Sequence, residues 1–133
     1  IRTVMPDEFE EAFRNGSLPL FDAVISFSSL EHGGLGRYGD GLNPWADLIT
    51  MAKTWCVTKP GGRALIGVPT AARDSVCYNA AKIYGKIQYA HLFANWKIVH
   101  SGVDQRELRR IESMEDQVCY WNYQPLHVLE KSR

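Results

Sequence analysis

The sequence predicts a single α/β domain that contains a parallel strand–helix–strand unit and ends in antiparallel strands. Two short runs of apolar, β-forming residues, at 21–27 and 64–68, have the length and composition of buried strands. The segment between them carries apolar residues at helical spacing, and a helical crossover of this kind joins parallel strands with a right-handed connection. The chain has 133 residues, which is enough for one hydrophobic core but not for two.

The first element is a short helix that opens at residues 5–7, where Pro6 or Asp7 can start it. Phe9 and Phe13 are four residues apart and share one side of this helix. The helix stops at Asn15-Gly16, which is a turn signal. Asn15-Gly16-Ser17 also fits the pattern of an N-glycosylation site, but the turn is the favoured interpretation.

The next three elements, a strand, a helix and a second strand, form the crossover unit. The strand at residues 21–27 is expected to be buried on both faces, and a glycine-rich loop follows at 33–41. Asn43 and Pro44 then supply a cap residue and a proline at the start of a helix. Its apolar residues keep helical spacing: Trp45, Leu48, Ile49, Ala52 and Cys56. Residues 60–62, Pro-Gly-Gly, end the helix, and Pro69 closes the strand at 64–68.

The C-terminal half alternates between helical and strand-like segments. A helix is predicted from Asp74 or Ser75 through Tyr84, where Gly85 stops it, and a short helix at 89–94. The pattern then predicts a strand, a helix with a capping box and two further strand-like segments. These are the strand at 97–101, the helix that begins at Asp104 with Glu107 and carries Leu108, Ile111 and Met114, and the segments 118–123 and 126–129 on either side of Pro125.

Composition and charge exclude several classes of protein. Fifteen basic residues balance fifteen acidic ones, so no global field favours nucleic acid or an anionic membrane, and no nucleic-acid partner is expected. No apolar run is long enough for a transmembrane helix. The three cysteines are far apart without a CxxC pair, which indicates small buried residues rather than a zinc site or a redox dithiol. The chain opens on Ile1, so we expect a fragment whose targeting signals can lie outside it, and the compartment is undetermined.

The glycine-rich loop contains a match to the dinucleotide-binding pattern GxGxxG at residues 34–39. That pattern needs its glycines at the turn from a strand into a helix, whose N-terminus faces the pyrophosphate. Here residues 28–33 separate the strand from the match, and the helix starts only near Pro44. The acidic residue expected about twenty positions later is missing too. The match is therefore treated as a coincidence, in a loop that follows a parallel strand.

Three segments together resemble a known fold family. FDAVIS at residues 21–26, LEH at 30–32 and KPGGR at 59–63, which leads into 64–69, resemble the fourth and fifth strands of class I S-adenosylmethionine-dependent methyltransferases. Residues 21–40, together with 43–45, and residues 123–131 are similar to an uncharacterised, nematode-rich family of methyltransferase-like proteins. The resemblance implies a partial Rossmann-like sheet, strands four to seven, with residues 1–133 forming the C-terminal part of one methyltransferase-like domain.

The same resemblance implies that the main determinants of cofactor binding lie outside this sequence. The glycine-rich loop that holds the methionine moiety and the acidic residue that binds the ribose belong to strands one to three of that fold. Ser26, Phe27 and Ser28, at the end of the first strand, are the expected S-adenosylmethionine contacts here. Strand one of the fold pairs with strand four, so residues 24–27 would form an unpaired apolar edge, which promotes aggregation.

The acceptor site is expected in the loop after the first strand. His32 is the candidate general base, because imidazole titrates near neutral pH, and Glu31 could orient it or bind the acceptor. The alternative is that Glu31 and His32 only stabilise the loop through hydrogen bonds. Some related methyltransferases bind a metal through ExxEH, but Ser28 replaces the first Glu here and no metal is expected.

Three more residues of the loop, Arg37, Tyr38 and Asp40, are candidate contacts to the acceptor. For Arg37 and Asp40 the alternative is a surface ion pair, which stabilises a protein very little. His91, His100 and His127 are scattered along the chain and are each interpreted as structural. No GxSxG nucleophile elbow is present, which disfavours a hydrolase.

Two functional hypotheses remain. The first is an S-adenosylmethionine-dependent methyltransferase whose acceptor is a small molecule, since no basic groove is evident for nucleic acid. The second is a non-catalytic, methyltransferase-like module that binds a partner or has a structural role. The fold family does not decide between them, because one fold hosts many functions.

Overall fold

The computed structural model describes residues 3–114 and 119–132. Within these ranges the helices are α1 (Pro6–Arg14), α2 (Ala46–Val57), α3 (Lys86–Leu92) and α4 (Gln105–Glu112), with a 3-10 helix at Leu30–His32. The strands are β1 (Phe21–Phe27), β2 (Thr58–Gly67), β3 (Ser75–Cys77), β4 (Ala81–Ile83), β5 (Trp96–Ser101) and β6 (Leu126–Lys131). None of the helices in the described part of the chain is long and apolar enough to cross a membrane.

The main sheet has the strand order β1–β2–β6–β5. β1 is parallel to β2, with Val24 opposite Ala64, and helix α2 makes the crossover between them. β6 runs antiparallel to both β2 and β5. The predicted α/β class, the parallel strand–helix–strand unit and the antiparallel finish are therefore confirmed. Pro125 lies immediately before β6, as the pattern predicted for a strand start.

The hydrophobic core lies on one face of this sheet. Ala64, Ile66 and Leu129 point from the strands into a cluster with Met51 of α2 and Leu92 of α3. Because side chains alternate along a strand, the intervening residues point to the opposite face. No described helix covers that face at β1, where Ile25 is 72% exposed and Phe27 is 58% exposed. The prediction that β1 is buried on both faces is therefore wrong for this chain.

Helix α1 forms as its sequence predicts. Pro6 occupies its first turn, and the backbone N–H of Met5 donates to Glu8 Oε2 at 2.9 Å, which satisfies one free group at the helix start. The helix ends at Asn15, followed by Gly16 at φ +71°, a conformation that glycine adopts without strain. An ion pair between Glu10 and Lys53 joins α1 to α2.

The predicted helix from residue 74 to 84 is wrong, since this segment is the β3–β4 hairpin. Asp74 does cap a helix, but it caps α3, eleven residues further on. Its Oδ1 accepts from the N–H of Gly85 at 2.6 Å and of Gln88 at 3.0 Å. Asn79 in the hairpin turn has φ +51°, which a helix does not allow. Asp74 therefore is a helix cap, as predicted, but the helix that it caps is α3 and not the segment that follows it directly in the sequence.

Two smaller predictions are only partly confirmed, and a third, the strand-like segment 118–123, is wrong for its described residues. Helix α3 begins at Lys86, before the predicted 89–94. Asp104 caps α4 through Arg106 N–H at 2.8 Å, but Glu107 pairs with Arg110 instead of completing a capping box. Of the strand-like segment 118–123, residues 119–123 are irregular and residue 118 lies outside the described residues.

The predicted apolar side of α2 is also incorrect. The buried residues of the helix are Asp47, Met51 and Val57, whereas Trp45 and Ile49 are exposed. Helical spacing therefore gave the correct element but the wrong face. Asn43 accepts from the N–H of Trp45 at 3.0 Å, just before the helix begins.

The expectation that the cysteines are small buried residues is wrong. Cys77, at the end of β3, forms a disulfide with Cys119, and their Cα atoms are 5.1 Å apart. This distance is typical of protein disulfides. Cys56 of α2 is free and exposed. The disulfide joins the β3–β4 hairpin to the segment that leads into β6.

A buried ion pair fixes the hairpin against the crossover helix. Lys82 Nζ of β4 lies 2.5 Å from Asp47 Oδ1 of α2 and also donates to the carbonyl of Pro44 at 2.7 Å. The Tyr84 hydroxyl donates to Asp47 Oδ2 at 2.8 Å. Burial, and then the charge of Asp47, raise the pKa of Tyr84, so its hydroxyl stays protonated and keeps donating. Both oxygens of the buried Asp47 carboxylate therefore have donors.

Lys82→Met tests this pair. The change leaves a buried carboxylate without its cation, and we expect the free energy of unfolding to fall by about 3–5 kcal/mol. The measurement is equilibrium denaturation by urea. The matched control is Lys59→Met, which breaks the exposed pair between Lys59 and Asp22 and should lower the free energy of unfolding far less than Lys82→Met does. If both variants lost the same free energy of unfolding, the buried pair would stabilise the protein no more than the exposed pair does.

Candidate functional site

A cleft of about 250 Å³ opens where β1 ends, at the carboxyl edge of the parallel pair. Its floor is a hydrogen-bonded chain of three side chains. Gln124 Nε2 donates to Ser28 Oγ at 3.1 Å, and Ser28 Oγ donates to Glu31 Oε1 at 2.9 Å. Ser28 has φ +52°, a strained conformation for a residue other than glycine, which directs the chain abruptly into the 3-10 helix.

Glu31 is the buried acid of the cleft. It is fully buried, with Oε1 bound to Ser28, whereas Oε2 is buried with no hydrogen-bond partner among the described residues. A buried acceptor without a donor costs about 1–3 kcal/mol. The carboxylate therefore has one oxygen that suits a hydrogen-bond donor or a positive charge.

The orientation of His32 follows from its two nitrogens. Nδ1 lies 2.5 Å from the carbonyl oxygen of Ala80, which can only accept, so Nδ1 carries the proton of the neutral ring. Nε2 is then an unprotonated acceptor, 3.6 Å from Glu31 Oε1. The ring is partly exposed in the cleft. In this tautomer the unprotonated nitrogen lies beside the Glu31 carboxylate, and His32 is one of the residues that line the cleft.

The structure brings the remaining predicted loop residues to the same place, with different partners. Arg37 and Tyr38 line the cleft, and Asp40 lines an adjoining groove that shares Ser28 and His32 with it. Arg37 Nη1 donates to the carbonyl of Asn79 at 3.1 Å. The Tyr38 ring meets the His32 ring edge-on, with the centroids 5.8 Å apart.

Asp40 holds the glycine loop closed. Its Oδ2 accepts from the N–H of Gly34 at 2.7 Å and its Oδ1 from that of Tyr38 at 3.2 Å. These hydrogen bonds, of which that from Tyr38 has the larger effect, lower the pKa of the Asp40 carboxyl. Arg37 and Asp40 thus each bind backbone groups, and the alternative of a surface pair between them does not describe the structure.

The glycine loop has a local explanation. A Cβ on Gly34 would lie 1.9 Å from the carbonyl oxygen of Asn43, and its φ is +76°. Gly34 therefore permits the loop to close on the start of α2. The helix begins at Ala46, past the last glycine of the GxGxxG match, as the sequence indicated.

Four residues of the cleft were not predicted. Ala80 and Ala81 come from the β3–β4 hairpin, and Trp121 and Gln124 from the segment before β6. The hairpin was predicted to be helical, and residues 118–123 were predicted to be a strand. Only the tertiary fold brings these segments to the end of β1, and no local pattern marks them.

Two of the predicted cofactor contacts lie apart from the cleft. Ser26 is half-buried opposite Ile66 in the sheet, and the Phe27 ring lies over Gly67 on the uncovered face. A Cβ on Gly67 would lie 2.2 Å from that ring. Of the three predicted contacts, only Ser28 reaches the cleft. In the described ranges, no three His, Cys, Asp or Glu side chains are grouped so that they could hold a metal ion.

A second cavity, of about 700 Å³, lies between α3, α4 and the β5–β6 edge. One of its buried polar residues is His127, whose Nε2 lies 3.0 Å from the Tyr89 hydroxyl. Tyr89 bonds Thr70 Oγ1, which itself donates to the carbonyl of Val68 at 3.0 Å. Tyr89 must then donate to Thr70 and accept from His127, which puts the ring proton on Nε2. His127 Nδ1 is thus a buried acceptor with no partner among the described residues.

Comparison with known proteins identifies a family and a fold. The sequence profile of a family described as "Caenorhabditis protein of unknown function, DUF268" matches residues 1–123. No curated protein sequence matches the chain.

A solved structure supports the methyltransferase-like fold. It is the crystal structure of Burkholderia thailandensis 1,6-didemethyltoxoflavin-N1-methyltransferase with bound 1,6-didemethyltoxoflavin and S-adenosylhomocysteine. It aligns with a TM-score of 0.55 at 17% sequence identity, over 98% of this chain and 59% of that chain. The chain thus spans less than two thirds of its structural neighbour, and the likeness concerns the fold.

The pH dependence of stability tests the His127 network. Burial, and then the charge of His100, lower the pKa of His127 from 6.5 to about 4. Between these values the unfolded chain binds a proton that the folded chain excludes. The stability of the fold should therefore fall as pH drops from 6.5 to 4, by at most about 3 kcal/mol from this group.

Urea denaturation at several pH values measures this effect. His127→Gln should remove most of the pH dependence in that window, whereas His91→Gln, at an exposed position of α3, should leave it unchanged. An unchanged slope in His127→Gln would exclude the buried, neutral imidazole.

Proposed function

The chain belongs to the Caenorhabditis family of unknown function DUF268, and we propose that it carries the acceptor side of an S-adenosylmethionine-dependent methyltransferase. The observation behind the proposal is the pair Glu31 and His32 in a cleft at the end of a parallel strand. In open α/β sheets ligands bind at this edge. A methyltransferase-like fold, supported by the solved neighbour, makes methyl transfer the first chemistry to consider.

We assign β1, β2, β5 and β6 to strands four, five, six and seven of the methyltransferase sheet. Two features of the chain support this assignment. The outer edge of β1 has no partner strand among the described residues, and this is where strand one would pair. The face that carries Ile25 and Phe27 is apolar and uncovered, as expected if helices from another part of a larger domain pack on it.

The proposed chemistry is general-base catalysis with positioning. S-adenosylmethionine, when bound, supplies an electrophilic methyl group. His32 Nε2, which is unprotonated in the neutral ring, takes the proton from the hydroxyl or amine of the substrate that is to be methylated. Glu31 Oε1 lies 3.6 Å away and stabilises the resulting imidazolium. The hydrogen bond from Nδ1 to Ala80 holds the ring in this tautomer.

The acceptor in this proposal is a small molecule. The cleft has about 250 Å³, and Tyr38 and Trp121 are among the residues that line it. Glu31 Oε2, buried and unpaired, suits an N–H or O–H group of a ligand. The solved neighbour has 1,6-didemethyltoxoflavin bound, which is compatible with a small-molecule acceptor here.

The residues present fit only one end of the cofactor. Ser28 is the one predicted contact whose hydroxyl lies in the cleft, and it is already bonded to Glu31 and Gln124. The fit supports a cofactor that lies beside this chain and is held mainly by groups from strands one to three.

The second candidate function is a non-catalytic, methyltransferase-like module. It is favoured by the fact that Ser28, Glu31 and His32 have partners within the protein and would stabilise the loop without any ligand. The two hypotheses differ in whether the full-length protein binds S-adenosylmethionine. They differ further in whether His32 affects turnover.

His32→Ala in the full-length protein tests the base assignment. We expect calorimetric binding of S-adenosylmethionine to be retained and methyl transfer to fall by about 10²–10⁴-fold. Transfer is measured as radiolabel moved from the methyl group of S-adenosylmethionine into a small-molecule extract of the source organism.

His91→Ala is the matched control, since His91 is an exposed histidine outside the cleft. Unchanged turnover in His32→Ala would eliminate the base role. Absence of both binding and transfer in the unaltered protein would favour the non-catalytic module.

The uncovered face predicts the behaviour of residues 1–133 in isolation. With Ile25 and Phe27 exposed, the isolated segment should associate in solution and gain little thermal stability from S-adenosylmethionine. Ile25→Lys should raise its monomeric fraction in analytical ultracentrifugation, whereas Ile87→Lys, on exposed α3, should not. Cofactor stabilisation equal to that of the full-length protein would contradict the assignment of the cofactor site to other strands.

A further inference from the structure

The disulfide and the turn after α1 together indicate where the protein matures. Cys77 and Cys119 are separated by 42 residues, and Cys119 is exposed. Exposed disulfides are reduced in the cytosol, where glutathione and thioredoxin act, and persist in secreted and luminal proteins. The pairing therefore indicates an oxidising compartment.

The disulfide also contributes to the architecture of the cleft. Cys77 belongs to the hairpin that supplies Ala80 and Ala81, and Cys119 lies two residues before Trp121. The covalent bond thus joins two walls of the candidate site. The cleft therefore has this covalent link between two of its walls only where the disulfide can form, which is in an oxidising environment.

An independent observation lies at the other end of the chain, on the turn that closes α1. Asn15-Gly16-Ser17 is an acceptor sequence for N-linked glycans, and all three residues are exposed. Asn15 is the C-terminal cap of the helix, and Gly16 turns the chain with φ +71°. Asn15 Oδ1 accepts from the N–H of Ser17 at 3.0 Å, and the residue as a whole is exposed. No residue of this turn lines the cleft.

We infer that the protein matures in the secretory pathway, with Cys77 and Cys119 joined and an N-linked glycan on Asn15. An acceptor sequence by itself occurs often by chance, and a cysteine pair by itself can be regulatory. The two features are far apart in sequence and arise from different chemistry, yet they require the same compartment. The turn predicted at Asn15-Gly16 and the glycosylation site are compatible, because glycans are attached to exposed loops.

Both modifications have defined co-reactants. In disulfide formation the two thiols lose two protons and two electrons to the disulfide of an oxidoreductase, which is reduced to a dithiol. In glycosylation the side-chain nitrogen of Asn15 forms a bond to the anomeric carbon of a lipid-pyrophosphate-linked oligosaccharide. The bond from that carbon to the pyrophosphate breaks, and the amide proton leaves with the lipid pyrophosphate.

The glycan is tested in the full-length protein expressed in animal cells. Peptide N-glycosidase should increase its mobility on a denaturing gel. Asn15→Gln and Ser17→Ala should abolish that shift, whereas the matched control Ser17→Thr keeps the acceptor sequence and should retain it. Because Asn-Gly also deamidates spontaneously, the gel shift, and not conversion of Asn15 to Asp, is the readout.

The disulfide is tested in the same cells. Free thiols are blocked with N-ethylmaleimide before lysis, and the protein is digested without reduction. Mass spectrometry should find the peptides of Cys77 and Cys119 linked, while Cys56, the exposed free cysteine, carries the alkyl group and serves as the internal control.

The possible results separate the two parts of the inference. Alkylated Cys77 and Cys119, with no response to the glycosidase, would overturn the assignment to the secretory pathway. Linked cysteines with an unmodified Asn15 would overturn the glycosylation site. Neither result depends on methyl transfer, so this inference can fail or hold separately from the proposed function.

Discussion

The buried ion pair between Asp47 and Lys82 is the interaction on which the candidate site depends. Two charges are taken out of water here, at a cost that only close contact and full hydrogen bonding can offset. Asp47 achieves this by accepting from Lys82 and Tyr84 together. Since Asp47 is at the start of α2 and Lys82 is in β4, the pair fixes the hairpin relative to the crossover helix. The carbonyl of Ala80, two residues before Lys82, then meets His32 Nδ1 and sets the ring's tautomer.

The cleft combines a completed hydrogen-bond network with one incomplete group. The Ser28 hydroxyl accepts a hydrogen bond from Gln124 Nε2 and donates one to Glu31 Oε1. Glu31 Oε2, on the same carboxylate, is buried and has no donor in the part of the chain that the structure describes. Folding alone gains nothing from such a group, because an unsatisfied buried acceptor opposes stability. A role in loop stabilisation therefore explains why Oε1 is hydrogen-bonded. A ligand-binding role would also explain why Oε2 is buried without a donor among the described residues.

The sequence carried the information for elements whose signals are local. β1 matched its predicted bounds because a run of β-forming residues lies between a turn and a loop, and α1 matched because Pro6 and Asn15-Gly16 mark its ends. Signals that act at a distance were assigned incorrectly. Asp74 has the chemistry of a cap, but only the folded hairpin shows that it caps α3. The cysteine pairing and the positions of Trp121 and Gln124 likewise depend on contacts between segments that are far apart in the chain.

Catalytic sites need side chains held within about half an ångström of a productive geometry, and loops seldom achieve this without support. In this chain three different constraints act on the loop-built cleft. The ion pair of Asp47 and Lys82 anchors the hairpin, the disulfide ties the hairpin to the segment of Trp121, and the hydrogen bond from Gln124 to Ser28 ties that segment back to β1. The three links close a ring around Glu31 and His32. These links hold Glu31 and His32 in fixed positions, which is what the proposed role of His32 as a base requires.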